Sequence, residues 1–140
     1  MRGERGRGRV EFAIAATMIA IAHRRILEMD VDVIVPGHGP ISDKQAVREM
    51  KSYLEFVEYE ARKRFEKGMN ARDAAFDIKL GRYADWGDAE RIVVTVLNLY
   101  EEFVGEHNEP DVMKLFEQMS EYRDKLRAEH KCDGHCGHKH

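Results

Sequence analysis

The sequence predicts a mainly α-helical chain carrying one or two short β-strands. Three observations lead there. From residue 42 onward, apolar residues recur at three- and four-residue steps in successive stretches, the spacing of one helix face. Val31, Val33, Ile34 and Val35 form a β-branched run that favours extended backbone, and no second run of comparable character exists. Gly, Pro and capping residues separate these stretches and punctuate the helices.

The chain begins with a basic, low-complexity arm, Met1 to Arg9, followed by an almost wholly apolar run from Phe12 to Ala22. A helix that is apolar all round is expected to lie buried, which makes this a core helix leading through Ile26 and Leu27 into the strand. The same outline, basic start and short apolar run ending in Ala20-Ile21-Ala22, is that of a secretory signal, and a disrupted gene start is a third reading. The run is too short to span a bilayer, so no membrane is expected. The arm reads as a solubilising tail.

Val31 to Val35 runs into Pro36-Gly37-His38-Gly39-Pro40. Pro36 stops the ladder, and the glycines beside His38 carry no Cβ, so an ion or ligand can come close to the imidazole. This reads as a metal-ligand loop at the end of a strand.

These residues resemble the final histidine motif of the metallo-β-lactamase-fold hydrolases, whose last strand commonly ends in a Pro-Gly-His-Gly loop followed by a helix. Ile26 to Pro40 looks like that family's short helix, strand and loop, and Ile41 to Arg64 like the helix that follows. Asn70 to Val104, with Gly81-Arg82-Tyr83-Ala84-Asp85-Trp86, is similar to the family's C-terminal segment. The resemblance implies the C-terminal part of an αββα fold, zinc as cofactor and His38 as one zinc ligand. It also implies an upstream His-x-His-x-Asp-His motif, a second histidine and a bridging aspartate, which this sequence does not contain. A hydrolytic zinc needs three protein ligands and one open position, so a truncated hydrolase, inactive alone, is expected.

After the loop, Ser42 and Gln45 have capping-box spacing, and Val47, Met50, Leu54, Val57 and Ala61 form one apolar stripe. Glu58 with Arg62 and Glu60 with Arg64 are expected on its solvated face. Gly68 ends this helix, Asn70 caps the next from Ala71 to Leu80, and Gly81 terminates it. Tyr83 and Trp86 are expected as packing plugs in the linking turn, with Asp85 and Asp88 as helix caps. Ile92, Val93, Val96, Leu97, Tyr100, Phe103 and Val104 trace a third stripe closed by Gly105. Val112, Leu115, Phe116, Met119, Tyr122 and Leu126 trace a fourth, entered at Asn108 and Pro110. His23 and His107 read as structural.

The tail from His130 to His140 places six thiol or imidazole donors in eleven residues, with Cys132, His135, Cys136, His138 and His140 as a weak candidate site for zinc, nickel or copper. The spacing matches no closed zinc unit. Two neighbouring cysteines cannot staple a core, which points to a cytoplasmic chain.

Bulk composition fits this division. The 140 residues are 43% hydrophobic, enough for a modest core, and 23 basic against 26 acidic residues leave a net charge of −3, which excludes a dedicated nucleic-acid binder. No phosphate-binding loop or nucleophile elbow is present. The expected organisation is a basic arm and apolar helix (1–25), the hydrolase-like segment (26–105), a C-terminal helix (106–131) and the Cys/His tail (132–140). The unpaired strand predicts a homo-oligomer or a complementary upstream polypeptide as partner. The alternative to the hydrolase is a non-enzymatic helical interaction module whose tail binds metal.

Overall fold

A computed structural model of the chain describes residues 16–36 and 40–133. Helix α1 (Ala16–Glu28) is followed by an extended stem, α2 (Lys44–Glu66), α3 (Ala71–Asp77), two short 3-10 turns (Gly81–Tyr83 and Ala89–Arg91), α4 (Ile92–Val104) and α5 (Val112–Asp133). The described residues are mainly helical and contain no sheet.

The core is built where the apolar stripes of α2, α3 and α4 meet. Val57 and Ala61 from α2, Ala74 and Ala75 from α3, and Ile92, Val93, Val96 and Leu99 from α4 are buried together. Small residues on α2 and α3 let those helices approach closely, while the branched side chains of α4 fill the seam. Leu99, outside the stripe expected for α4, is fully buried, whereas Met50 from the α2 stripe and Val104 from the α4 stripe are exposed. On α5, Tyr122 is buried in the core, whereas Val112 and Phe116 remain exposed.

Tyr83 and Trp86 plug the turn as expected. Tyr83 is buried, with the Trp86 ring edge-on at 4.9 Å and the Tyr53 ring at 5.2 Å. Gly105 closes α4 in the left-handed region at φ 71°, where a Cβ is disfavoured. Asn70 caps α3 by accepting from the Asp73 amide.

Other local expectations are corrected. Asp43, not Ser42, caps α2, its carboxylate accepting from Gln45 N at 2.9 Å and Ala46 N at 3.1 Å. Ser42 is already committed, since its backbone pairs with Ile34 and its hydroxyl donates to the Pro40 carbonyl at 2.9 Å. The expected helix over 71–80 stops at Asp77, because Ile78 turns extended and drops with Leu80 into the core. Gly81 therefore opens a 3-10 turn rather than ending a helix.

Asp88 precedes the second 3-10 turn but makes no side-chain capping bond; its carboxylate stands 3.5 Å from Arg91. Asp85 is likewise no cap, being turned toward α5. The start of α5 is held by Asp111, which accepts from Lys114 N at 3.2 Å, rather than by Asn108 or Pro110. Glu60 and Arg64 are not on a solvated face: they pair at 2.6 Å, mostly shielded, and Arg64 continues to Asp77.

The apolar run expected to be buried overlaps α1, yet Ile21 and Ala22 are exposed, and residues 12–15 lie outside the described residues. No described helix is long and apolar enough to cross a membrane. Helix α1 continues past residue 25, and α5 runs through residue 131 to Asp133.

Candidate functional site

The His38 loop rests on a stem whose base is tied to both flanking helices. Helix α1 ends at Glu28, and a tight turn follows in which Val31 N donates to Met29 O at 3.0 Å. The Lys44 ammonium, at the first position of α2, also donates to that Met29 carbonyl. Ile34 and Ser42 then exchange two backbone hydrogen bonds of 2.8 Å each, an isolated antiparallel bridge. One residue later Asp43 caps α2, so the loop's return is locked into the start of that helix.

The expected strand over Val31 to Val35 is thereby corrected. It is one bridge rather than a ladder, and its pairing is local, to the returning arm of the same loop. Proline at positions 36 and 40 prevents the two arms from extending the pairing toward the tip. Among the described residues, the bridge to Ser42 pairs one edge of the segment. Val33, Val35 and Ile41 are 64%, 75% and 72% exposed, so β-branched side chains with strand character stand in solvent around the bridge.

His38 itself, with Gly37 and Gly39, lies outside the described residues, as do His135, Cys136, His138 and His140. Cys132 falls within the last turn of α5, and nothing is described of its side chain. Among the described residues, no group of three histidine, cysteine or carboxylate side chains is placed to hold a metal ion. A hydrolytic zinc needs three protein ligands, and the described residues by themselves bring no such set together.

The remaining histidines divide by environment. His23 is half-buried in α1, and His107 is exposed in the link between α4 and α5. His130, near the end of α5, places Nε2 3.9 Å from Oδ1 of Asp85 in the turn before α4. Sequence reasoning missed that pair because Asp85 looked like a cap and no local pattern joins the two positions.

Beside it lies a cleft of about 310 Å³ between the α3-to-turn connection and α5, lined by Leu80, Tyr122, Lys125, Leu126, Glu129 and His130. Its central cation is already engaged, since the Lys125 ammonium donates to the Phe76 carbonyl and stands 3.7 Å from Glu129. Burial pushes the Tyr122 phenol up to about 12, so that hydroxyl is no ready proton donor or nucleophile.

No protein-family model, curated protein or solved structure matches this chain.

Proposed function

We propose that this chain acts as the C-terminal helical platform of a metallo-β-lactamase-type hydrolase, presenting His38 as one zinc ligand and depending on another polypeptide segment for the rest of the site. Alone it has no hydrolase activity. With the remaining ligands in place, the zinc would supply a bound hydroxide for attack on an ester, thioester, amide or phosphoester bond.

The observation that supports this reading most is the half-finished stem. Val33 and Val35 flank a residue whose pairing on one side is complete, while their own exposed, β-branched side chains suit a neighbouring strand and a covering layer. The segment that covers them would also carry the missing ligands, because a neighbouring strand would end beside the same loop. A cytoplasmic setting accords with a reduced, metal-binding chain.

The test is reconstitution with a polypeptide carrying the His-x-His-x-Asp-His half of such a hydrolase. The complex is expected to retain more zinc per assembly with the wild-type chain than with His38→Ala. Failure to associate, or equal zinc content in both complexes, would overturn the proposal.

A second reading concerns the tail, which acts as a metal chelator independent of the loop. It rests on the sequence, in which Cys132, His135, Cys136, His138 and His140 stand close together after the main length of α5.

A further inference from the structure

Helix α5 begins with apolar residues on more than its inner face. Leu115, Met119, Tyr122 and Leu126 pack into the core, yet Val112, Met113 and Phe116 in the same first turns are 55%, 78% and 63% exposed. Phe116 lies four residues after Val112 and three after Met113, so the three side chains share one side of the helix. Arg123 stands 3.6 Å from Glu90, which ties the middle of α5 to the approach to α4 and makes the two helices antiparallel. The end of α4 therefore lies at the same end of the bundle as the start of α5, and it adds Val104, 56% exposed.

The surroundings of this face carry one sign of charge. Residues 101–117 contain six carboxylates and a single lysine or arginine, Lys114, a net of −5 against −3 for the whole chain. Glu106 and Glu117 are exposed, and no lysine or arginine among the described residues pairs with either. An acidic rim repels nucleic acid and anionic membrane surfaces, and it opposes a second copy that brings the same rim. A helix surface also offers no unpaired backbone edge, so an extended peptide gains no ladder of hydrogen bonds there. A partner that is itself a helix brings its backbone already satisfied and sets apolar residues at matching three- and four-residue steps.

We infer that the face formed by Val104, Val112, Met113 and Phe116 docks a basic amphipathic helix of another protein, whose apolar stripe covers Phe116 and whose lysines or arginines meet the carboxylate rim. Phe116 is the anchor, because a large exposed aromatic gains most from being covered. Met113, unbranched and adaptable, moulds itself to the partner. The rim governs the rate of encounter and the choice of partner more than the affinity. Neither His38 nor the C-terminal tail takes part, so this surface is independent of the zinc reading.

The experiment titrates the full chain into a fluorescein-labelled peptide of leucine and lysine, its leucines at three- and four-residue steps, and into a scrambled peptide of the same composition. Anisotropy is expected to show the periodic peptide binding at least tenfold tighter than the scramble, and more weakly as salt is raised. Phe116→Ala is expected to weaken that binding at least tenfold, and the double change Glu106→Lys with Glu117→Lys to weaken it as much at low salt. All three side chains are exposed, so circular dichroism should show wild-type helicity in both variants. Equal binding of the two peptides, or wild-type affinity in either variant, would overturn the proposal. A dimer of the full chain that dissociates on Phe116→Ala, seen by sedimentation, would also overturn it, because the face would then belong to a second copy. Tighter peptide binding when Arg2, Arg5, Arg7 and Arg9 are changed to serine would assign the face to the chain's own basic arm and overturn it equally.

Discussion

Tyr122 of α5 meets Phe76 of α3 edge to face, with ring centroids 5.3 Å apart and planes at 87°. This contact fastens the C-terminal helix to the rest of the bundle. Around it, Lys125 donates to the Phe76 carbonyl and Arg72 reaches Glu121 at 2.7 Å. The ion pair is exposed and adds little, so the buried ring carries the attachment. Tyr122→Ala is expected to cost about 3–5 kcal/mol, the range for removing a buried aromatic. Urea unfolding should show the loss, and proteolysis should cut α5 first.

The same burial produces an alkaline signature. Tyr53 and Tyr122 are both pushed up to about 12 from the ordinary 10.0, chiefly by desolvation of the phenolate. A raised folded value means that the stabilisation is complete below pH 10 and is lost as pH rises toward 12. Tyrosinate absorbance should accordingly retain a late-titrating fraction until the fold gives way. A titration in which all five tyrosines ionise together near pH 10 without unfolding would contradict the packing described.

At acid pH the relevant group is Glu60. A hydrogen bond from Arg64 holds its carboxyl below the ordinary 4.5, with Lys63 acting in the same direction and burial opposing them. The fold therefore favours the ionised form. Its stabilisation is present above that ordinary value and is lost as pH falls through the lower folded one. Glu60→Gln should reduce stability at neutral pH, and the gap from wild type should narrow on acidification.

Much of this fold was legible because helices announce themselves locally. The stripes through Val57 and Ala61 or through Ile92, Val93 and Val96, the Asn70 cap and the Gly105 stop all depend on near neighbours. What escaped depended on residues far apart in sequence or on competition for one group. Ser42 looked like a cap until its backbone was seen paired to Ile34, which leaves Asp43 to do the capping. Ile78 and Leu80 left the helical path because the core rewards their burial more than another helical turn would. Asp85 and His130 meet only because α5 folds back over the turn, and no periodicity encodes that. For the site, the sequence picked out the loop, while the stem's local bridge emerged only from the fold.

The cap at the base of the His38 loop gives a further test. Asp43 satisfies two open amides of α2, so Asp43→Ala is expected to cost about 1 kcal/mol. Because Ser42 is the adjacent residue, the same change should quicken amide hydrogen exchange at Ile34 and Ser42. Unaltered exchange at both would separate the stem from the helix start.

The most direct test of the central claim, that this chain supplies one ligand to a zinc site it cannot complete, is hydrolysis by the purified full chain in the presence of zinc. A panel of thioester, lactam and phosphodiester substrates is expected to show no turnover above background, since three protein ligands are needed and one is matched. Zinc-dependent turnover that disappears in His38→Ala would contradict the account, because it would mean that the chain builds a working site from its own residues.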